Sequence, residues 1–402
     1  MSTPKVIFAN RVYWPEESAT AQLLSDLAPA LAARGFSVHV ITGGDGPAQH
    51  EGVTVHRTGG DNSVTEFRRR TLSYLRFLRA ARDRLAALAT AGDVVVIKTD
   101  PPMLSAALTH VARQRGAAVV QWIQDIYPEI AWCHAGPWTK PLLKPLQASR
   151  DRAWRASACC VPVGDDMAEL VHTRGVPRDR LRVLPNWAPR ELDEIPSADA
   201  IAARRAAWGW TDKFVIAYSG NLGRVHEFRT LLDTAVRLRS RADIVIAFIG
   251  HGARWSDVAK AVSTQALSNV QLIPPQPRTE LAVSLAAADI HAVTLLQGFE
   301  SLVHPSKIAG VLAVGRPVAF VGPTKSSLAR FLENAPCGKA IAPGSSEELA
   351  ALIHEWQREP ATRIRLGANA RQAYVEHLRL SNLVPRWEAL LWAVQQGTAL
   401  PR

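Results

Sequence analysis

Two loops of the sequence combine glycine or a helix start with a basic side chain, a combination suited to binding phosphate groups. Residues 220–224 read Gly-Asn-Leu-Gly-Arg and follow an apolar run. Gly220 and Gly223 would let backbone N–H groups approach an anion closely at a helix N-terminus, and Arg224 adds a cation that can bind two oxygen atoms. A tight strand-to-helix turn uses the same glycines, so this loop alone leaves both interpretations open.

The second basic loop covers residues 298–307 and ends in Ser306 and Lys307. We predict both residues in the first turn of a helix that ends near Gly315, where free N–H groups and the positive end of the helix dipole favour a phosphate. A lysine at this end of a helix opposes the dipole, so an anionic partner would explain Lys307. The alternative is a solvated surface lysine.

A carboxylate follows a buried strand in the N-terminal half. The apolar run 118–123 leads directly into Gln-Asp-Ile-Tyr-Pro-Glu at 124–129. Asp125 would then lie at the carboxyl end of a parallel strand, where it can orient hydroxyl groups or accept a proton. Alternatively, Asp125 caps the next helix, and the spacing does not decide between the two.

The elements that must position these loops are short apolar strands alternating with helical patterns, which is typical of a parallel sheet covered on both faces. In the first half we predict strands at Lys5–Ala9, Val38–Ile41, Val53–His56, Val94–Ile97, Ala118–Ile123 and Cys159–Val163. In the second half we predict them at Phe214–Tyr218, Ile244–Ile249, Val270–Ile273, Ile290–Thr294, Val318–Val321 and Lys339–Ile341. The predicted fold class is α/β with two doubly wound domains.

A stretch rich in proline and acidic residues, 185–196, is the best candidate for the linker between these domains. We therefore predict a first domain over residues 1–188, a second over 189–380 and a C-terminal helix within 381–402 that packs back on the first. Two such domains in tandem predict a cleft between the carboxyl ends of both sheets, where open α/β folds bind ligands.

Composition limits the functional classes. The chain has 402 residues, 47 % of them hydrophobic, which is enough for two cores and excludes a disordered chain. The net charge of +11 should attract anions. The cysteines show no metal or disulfide spacing, the N-terminus has no signal-peptide pattern, and no apolar stretch reaches ~18 residues. We expect a cytoplasmic chain whose contact with a membrane is peripheral.

Several motifs are absent from the sequence: the G-x-x-x-x-G-K-[ST] phosphate loop, the dinucleotide-binding fingerprint after the first strand, zinc-type Cys/His spacing and the nucleophile elbow. An Asp-x-Asp pair that could seat a nucleotide-bound metal is also missing. We therefore expect no metal, with Arg224, Lys307 and helix N-termini neutralising any bound diphosphate. We expect no nucleic-acid partner either, because the arginines lack a known nucleic-acid motif.

The segment 68–85 predicts a basic amphipathic helix, with arginines beside an apolar stripe of Tyr74, Leu75, Leu78, Ala81 and Leu85. Such a helix can lie on anionic lipid, or it can be a core-facing helix with a solvated basic face. An aromatic and basic cluster in the same domain favours the lipid surface: Trp132, Trp138, Lys140, Lys144 and Trp154.

The order of these motifs resembles the retaining glycosyltransferases of family 4, which have the GT-B architecture of two Rossmann-like domains facing across a cleft. The likeness is strongest to the bacterial branch that transfers fucosyl or N-acetylfucosaminyl-type sugars in colanic-acid and O-antigen assembly. It covers nearly the whole chain and rests on segments 13–17 (YWPEE), 99–102 (TDPP), 124–129 (QDIYPE), 185–187 (PNW), 220–224 (GNLGR), 305–307 (PSK) and 315–317 (GRP).

The resemblance implies that the second domain binds a nucleotide-diphosphate sugar, the first binds a saccharide acceptor carried on a polyprenyl diphosphate, and transfer retains the anomeric configuration. Arg224 and Lys307 would hold the diphosphate and stabilise the leaving group, while Asp125 would orient the sugar or polarise the acceptor. The remaining implied donor contacts are Gly220, Asn221, Gly223, Glu300 and Ser306. The implied acceptor or phosphate loop is Glu16, Glu17 and Ser18, and the implied location is the cytosolic face of the inner membrane.

The sequence departs from this family at two places. Many members carry two glutamates eight positions apart, where this chain has Leu302 and Gly310. Members often have a lysine shortly after the arginine of the glycine-rich turn, where this chain has His226 and Glu227. The alternative function is therefore a catalytically silent nucleotide-sugar-binding or scaffold protein of a polysaccharide assembly complex.

Overall fold

The computed structural model describes residues 5–16, 18–60, 67–135 and 140–401, and it divides the chain into two compact units. The first unit contains Met1–Asn186, Ser301–His304 and Leu380–Arg402, and the second contains Trp187–Glu300 and Pro305–Arg379. The sequence did not predict that Ser301–His304 packs with the first unit, because this segment lies inside the strand–helix pattern of the second.

The first unit is built on a seven-stranded sheet. Its strands are β1 (Lys5–Ala9), β2 (Ser37–Thr42), β3 (Gln49–His50), β4 (Val53–Arg57), β5 (Val94–Ile97), β6 (Ala118–Ile123) and β7 (Cys159–Pro162). The strand order is β3-β4-β2-β1-β5-β6-β7, and each neighbouring pair is parallel except the antiparallel pair β3–β4. The sequence missed β3, because a strand of two residues has no hydrophobic period.

Helices cover this sheet. They are α1 (Ala19–Ala32), α2 (Phe67–Leu88), α3 (Leu104–Gln114), α4 (Glu129–Ala135), α5 (Lys140–Arg155) and α6 (Asp165–Thr173). All four residues of β5 are buried, which explains why the strand reads Val-Val-Val-Ile without polar alternation. At the start of α1 the Ser18 side chain accepts a hydrogen bond from the N–H of Ala21 at 3.3 Å, as an N-cap does.

The second unit repeats the arrangement with six parallel strands. They are β8 (Phe214–Asn221), β9 (Ile244–His251), β10 (Val270–Ile273), β11 (Ile290–Thr294), β12 (Val318–Val321) and β13 (Gly338–Ile341), in the order β10-β9-β8-β11-β12-β13. The helices are α7 (Ala198–Ala207), α8 (Arg229–Arg237), α9 (Trp255–Thr264), α10 (Leu281–Ala286), α11 (Lys307–Ala313), α12 (Ser327–Asn334), α13 (Ser346–Arg358) and α14 (Pro360–Ala373). The second sheet is wholly parallel, the first is parallel apart from the short edge strand β3, and helices cover both, so the predicted fold class is confirmed.

The last helix, α15 (Leu380–Gln396), packs on the first unit. The Trp387 ring lies 4.8 Å from the Trp122 ring of β6, centroid to centroid. The Arg34 guanidinium and the Glu388 carboxylate form an ion pair of 2.5 Å. The helix therefore buries large aromatic side chains against the first sheet, which explains the tryptophans in its sequence.

The surface of α2 and α5 differs from the predicted pattern. Leu75, which belongs to the predicted apolar stripe of α2, is 57 % exposed, whereas Phe77, outside that stripe, is buried. The side of α2 that faces the core is therefore not the whole of the predicted stripe. Trp154, assigned to a surface cluster, is wholly buried because it packs inside the unit. Trp138 and the side chains of Arg68 and Lys140 lie outside the described part of the chain. In the described ranges, no helix is both long and apolar enough to span a bilayer.

Candidate active site

Lys307 is a lysine of the second unit whose ammonium group is buried. It begins α11, and its ammonium nitrogen is enclosed without a hydrogen-bond partner among the described residues. The nitrogen lies 3.6 Å from the centre of the Tyr218 ring on β8, and this cation–π contact partly compensates the burial of its charge. Burial lowers the pKa of Lys307 well below its usual range. The enclosed ammonium group therefore favours an anion that is supplied by a ligand.

Tyr218 and His226 form the wall beside this ammonium group. The Tyr218 hydroxyl donates to the carbonyl of Asn221 at 2.9 Å, and the His226 ring contacts the Tyr218 ring edge-on. Nδ1 of His226 lies 2.9 Å from the Thr294 carbonyl, so it must carry the proton and donate there. Burial, reinforced by Lys307, lowers the pKa of His226 to about 3. His226 is thus neutral and adds no positive charge beside Lys307.

Glycines line the space beside Lys307. A side chain at Gly220 would have its Cβ 3.8 Å from Cε of Lys307, and Gly220 has a φ of +124°. A Cβ on Gly250 would lie 2.3 Å from the Gly220 carbonyl oxygen, and one on Gly252 would lie 2.4 Å from that of Leu222. The carboxyl ends of β8 and β9 therefore approach so closely that only glycine fits.

Sequence reasoning missed Gly250 and Gly252. The signal was available, because Gly250-His251-Gly252 follows the strand β9 just as the glycine-rich turn 220–224 follows β8. His251 itself pairs with Asn221 in the register of the two strands.

The loop that carries Arg224 is longer than predicted. Strand β8 continues through Gly220 and Asn221, and α8 begins only at Arg229, so Arg224 does not lie in the first turn of a helix. The predicted helix N-terminus at this turn is therefore wrong. Arg224 is exposed, as is Asn221, while Gly223 is half-buried. The loop is held instead by the carbonyl of Val225, which accepts a hydrogen bond of 2.9 Å from the N–H of Leu296 just after β11.

Ser306 and Glu300 lie before α11. Ser306 is exposed and occupies the N-cap position of α11, but its side chain makes no capping hydrogen bond. Glu300 has one carboxylate oxygen that is buried and lacks a hydrogen-bond partner in the described ranges. Glu300 is therefore a second polar group of this unit whose bonding is incomplete.

The positions that depart from the family pattern have structural explanations. A Cβ on Gly310 would lie 3.3 Å from side-chain carbons of both Leu192 and Leu285, so this position faces the apolar interior. The Glu227 carboxylate accepts hydrogen bonds of 3.1 and 3.2 Å from the N–H of Thr230 in the first turn of α8, and burial raises the pKa of Glu227. Gly310 thus does not replace the negative charge of the family's glutamate, and Glu227 does not replace the positive charge of its lysine.

Asp125 belongs to the first unit, where it follows β6. Its N–H donates to the Thr99 hydroxyl at 3.3 Å, and it forms an isolated bridge with Val303 of the segment Ser301–His304. The helix α4 begins four residues later at Glu129, so the helix-capping interpretation of Asp125 is wrong. Burial and the neighbouring Asp100 raise the pKa of Asp125 to about 6, although Lys98 acts in the opposite direction.

Two further charged side chains, Asp100 and Lys98, act on Asp125. Asp100 forms an ion pair with Arg11, with oxygen–nitrogen distances of 3.1 and 3.2 Å, and burial raises its pKa while Arg11 opposes the shift. Lys98 is fully buried at the end of β5, and burial lowers its pKa to about 7. Sequence reasoning missed Lys98, although a lysine directly after four buried aliphatic residues is an available signal.

The predicted acceptor loop lies at the start of α1. The Ser18 hydroxyl serves as the N-cap of that helix, and the Glu16 charge raises the pKa of Arg57, against a larger lowering by burial. Arg57 donates to the Trp14 carbonyl at 2.5 Å, which holds the chain before the loop. Glu17 lies outside the described residues.

Of the predicted site residues, Gly220 lies next to Lys307 in the second unit, since a Cβ added at Gly220 would be 3.8 Å from Cε of Lys307. In the first unit, Asp125 lies near Thr99, Asp100 and Lys98. Across the described ranges, no three His, Cys, Asp or Glu side chains are grouped so that they could hold a metal ion.

Comparison with known proteins gives three kinds of similarity. Residues 19–187 match the family model described as "Glycosyl transferase 4-like domain". The chain is 27 % identical over 275 residues to the probable glycosyltransferase WbjE of Pseudomonas aeruginosa, an alignment that covers 68 % of each chain. It is 28 % identical over 184 residues to the putative colanic acid biosynthesis glycosyl transferase WcaI of Escherichia coli K12, covering 45 % of each.

Solved structures are similar over almost the full length. The crystal structure of Anabaena Alr3699/HepE in complex with UDP and glucose superposes with a TM-score of 0.74 at 15 % identity, covering 97 % of this chain and 100 % of that one. WaaG, a glycosyltransferase involved in lipopolysaccharide biosynthesis, gives 0.71 at 16 % identity over 96 % and 99 % of the two chains. The protein therefore has the GT-B fold of two Rossmann-like α/β domains, and its residues 19–187 match a glycosyl transferase 4-like domain.

Proposed function

We propose that this protein is a glycosyltransferase of bacterial surface-polysaccharide synthesis that moves a sugar from a nucleotide-diphosphate sugar to a saccharide acceptor. The observation that carries the proposal is the enclosed, unpaired ammonium group of Lys307 against glycine-lined strand ends, in a GT-B fold. WbjE, WcaI and WaaG, which are described as glycosyltransferases, support the same reaction class. A fucosyl or N-acetylfucosaminyl-type donor rests on the motif resemblance alone.

The second unit is proposed to bind the donor through its diphosphate. Lys307 lacks an anionic partner of its own, and Gly220 leaves room next to it for an oxygen atom of a ligand. Backbone N–H groups at the glycine-rich strand ends can donate to phosphate oxygens at close range. Arg224, on the exposed loop after β8, supplies the second charge, and Glu300 and Ser306 contribute polar contacts from the segment before α11.

We propose transfer with retention of configuration. The acceptor hydroxyl oxygen forms a bond to the anomeric carbon on the face from which the diphosphate leaves, and the hydroxyl proton passes to a phosphate oxygen. No separate base is needed, because the leaving phosphate becomes more basic as the glycosidic bond to it breaks. Lys307 and Arg224 stabilise the negative charge that develops there, which is the electrostatic contribution that usually dominates catalysis.

The first unit is proposed to bind the acceptor. Asp125 would accept a hydrogen bond from a sugar hydroxyl group, and the loop with Glu16, Glu17 and Ser18 would complete the acceptor side. The pKa of Asp125 is raised to about 6, which is still below neutral pH. Its carboxylate is therefore largely ionised at neutral pH and can accept a hydrogen bond. No metal is invoked, and chelation with EDTA should leave turnover unchanged.

A lipid-linked acceptor and a place on the cytosolic face of the inner membrane complete the proposal. Large apolar side chains are exposed on both α2 and α5, which each pack against α3: Leu72 (53 %), Leu75 (57 %), Leu142 (75 %) and Leu146 (43 %). Exposed basic residues accompany them on the same two helices, including Arg69, Arg70, Arg76 and Lys144. Apolar side chains beside basic ones are suited to an anionic lipid surface. Leu72→Glu with Leu142→Glu should reduce sedimentation with vesicles that contain anionic lipid, compared with the wild type.

The test of the proposed activity is the release of nucleoside diphosphate. Purified protein is incubated with a panel of UDP-, GDP- and dTDP-sugars and a short-chain polyprenyl-diphosphate saccharide, and the anomeric configuration of the product is read by NMR. Arg224→Ala should reduce turnover by ~10². The matched control is Arg239→Ala, because Arg239 is also an exposed arginine of the second unit.

The outcomes separate the proposal from its rival. Donor-dependent release that requires the acceptor supports a glycosyltransferase. Donor binding by calorimetry without release under any acceptor would instead identify a silent nucleotide-sugar-binding protein. Equal turnover in wild type and Arg224→Ala would remove Arg224 from the site.

A further inference from the structure

The buried lysine at the end of β5 has no evident role in stability. Lys98 is 0 % exposed. Its Nζ donates a hydrogen bond of 3.0 Å to the Thr20 carbonyl and lies 3.7 Å from the centre of the Trp122 ring in a cation–π contact. Neither contact is with a carboxylate. Burying an ammonium group without an ion pair is costly, and a methionine would fill the same volume without that cost. The lysine therefore requires an explanation other than packing.

The position of Lys98 connects two parts of the first unit. Thr20 lies in the first turn of α1, directly after the loop of Glu16 and Ser18. On the other side, Lys98 precedes Thr99 and Asp100, and the Thr99 hydroxyl accepts the hydrogen bond from the N–H of Asp125. One ammonium group thus lies between the start of α1 and the strand ends that carry the two acidic side chains.

The charges around Lys98 come from several elements. Asp100 follows the same strand and is paired with Arg11 from the end of β1. Asp125 and Tyr127 follow β6, and Arg70 and Tyr74 of α2 act on Tyr127. Lys98 acts on both Asp100 and Asp125, and Asp100 also has Arg11 as its ion-pair partner. The charge of Lys98 lowers the pKa of Asp125, against burial and the charge of Asp100, which both raise it.

We infer that Lys98 is a positioning residue: its ammonium group ties the first turn of α1 to the carboxyl edge of the first sheet and holds Asp125 in the ionised form that accepts a hydrogen bond from a hydroxyl group of the saccharide acceptor. This inference rests on the proposed function for its consequence in catalysis. Its electrostatic part concerns the first unit alone. Lys98 itself touches no reacting atom.

The direction of the effect follows from the charges. Lys98 opposes the burial that raises the pKa of Asp125 to about 6. Replacing Lys98 by a neutral side chain should therefore raise the pKa of Asp125 further, by ~1 unit for a nearby opposite charge. Asp125 would then become protonated within the neutral range, and the acid limb of kcat/KM would move to higher pH by the same amount.

The experiment measures the Asp125 carboxyl directly. Protein labelled with ¹³Cγ-aspartate is titrated by NMR, and the Asp125 signal is assigned from its loss in Asp125→Asn. Lys98→Met is compared with Lys98→Arg, which keeps the charge, and with Lys5→Met as matched control. Lys5 is a lysine of the same sheet that is paired with Asp93 beside the amino end of β5.

The expected result is an upward shift of the Asp125 midpoint in Lys98→Met, a midpoint close to wild type in Lys98→Arg, and none of this shift in Lys5→Met. An unchanged midpoint in Lys98→Met, or an equal shift in Lys5→Met, would overturn the inference. If Lys98→Met does not fold, the wild-type titration decides: coupled groups show mutual inflections, so the Asp125 curve should carry a second step where Lys98 titrates. A single-step curve would then contradict the inference.

The readout distinguishes this inference from the proposed function. A shifted Asp125 midpoint in a protein that transfers no sugar would contradict the proposed function and leave the Lys98–Asp125 coupling intact. Transfer activity with an unshifted midpoint would contradict only the role of Lys98. In an active enzyme, Lys98→Met should also raise KM for the acceptor while the dissociation constant of the donor stays unchanged.

Discussion

The carboxyl edges of the two sheets handle charge in opposite ways. In the first unit, acidic and basic side chains compensate one another: Arg11 pairs with Asp100, and Lys98 acts on Asp125. In the second unit, Lys307 is enclosed without an anionic partner in the described ranges, and glycines line the space beside it. Both edges come from the same parallel α/β architecture, so the fold does not dictate the difference.

The difference indicates what each edge is prepared to bind. An edge whose charges are already compensated suits an uncharged ligand with hydroxyl groups, because no additional ion is needed to satisfy it. An enclosed cation without a partner suits an anion, whose binding recovers interactions that the free protein lacks. This contrast supports the proposed division between a saccharide side in the first unit and a diphosphate side in the second.

The largest expected effect is that of Lys307→Met. Turnover should fall by ~10², because a transition-state contact to the leaving diphosphate is lost. The free energy of unfolding should nevertheless rise by ~1 kcal/mol, because replacing a poorly compensated buried charge by an apolar side chain of similar size is often stabilising. Steady-state kinetics and urea denaturation measure the two. Lys339→Met, at an exposed ion pair with Glu348, is the control and should change neither by much.

A lower stability of Lys307→Met would mean that Lys307 has a stabilising partner within the protein. The contrast between the two sheet edges would then be wrong.

Arg11→Ala should act in the opposite direction on stability. The substitution removes the ion-pair partner of the Asp100 carboxylate, and we expect the free energy of unfolding to fall by ~2 kcal/mol. This is less than the loss for a fully buried pair, because both side chains keep some exposure to solvent. This loss of stability should be smaller at acidic pH. Without Arg11 the pKa of Asp100, already raised by burial, rises further. At acidic pH the folded variant therefore carries a protonated, uncharged Asp100, which no longer needs a positive partner. Denaturation at pH 5 and pH 8 tests this. A stability equal to wild type would show that the first edge is not held by charge compensation.

Gly220→Ala should weaken donor binding by ~10-fold. The added methyl group would lie against Lys307, and a φ of +124° strains any residue other than glycine. Gly209→Ala is the matched control, because Gly209 also has a positive φ but its Cβ would meet no atom within 4 Å. Calorimetric titration with a nucleoside diphosphate compares the two. Equal losses of affinity would assign the effect to backbone strain and not to the space beside Lys307.

The smallest expected effect is an uptake of protons on donor binding. Since burial lowers the pKa of Lys307, the free protein carries less than a full proton there at alkaline pH, and a bound diphosphate favours the charged ammonium. Calorimetry of a nucleoside diphosphate at pH 8.5 (roughly two units below an ordinary lysine pKa) in buffers of different ionisation enthalpy should show uptake of up to ~1 proton. Lys307→Met should abolish this uptake, and proton release in the wild type would contradict the proposed role.

Much of the fold could be predicted from hydrophobic pattern alone. The strands of both sheets emerged from short apolar runs because parallel strands covered on both faces need continuous apolar residues. The pattern failed where an element is too short or is continued by small residues. Strand β3 has two residues, and β8 extends through Gly220 and Asn221, which resemble a turn in the sequence.

The candidate site was predicted less completely. Residue type and position after a strand were sufficient to select Asp125, Arg224 and Lys307 as candidates. The same reasoning missed Lys98, Gly250 and Gly252, whose importance depends on neighbours that are distant in sequence. It also assigned Arg224 to a helix start that lies five residues further on, because helix boundaries depend on local capping that propensity does not resolve.

What can be read from the order of residues is the alternation of strands and helices, the two-domain organisation and the kinds of side chain at strand ends, because these depend on local periodicity. Whether a charge is compensated is decided only in three dimensions. Lys98 and Lys307 are both lysines near strand ends or helix starts, yet one donates to the carbonyl of Thr20 and the other has no hydrogen-bond acceptor in the described chain. The energy of a buried charge depends on which groups the fold brings within a few ångströms of it, and that proximity is a property of the packed structure.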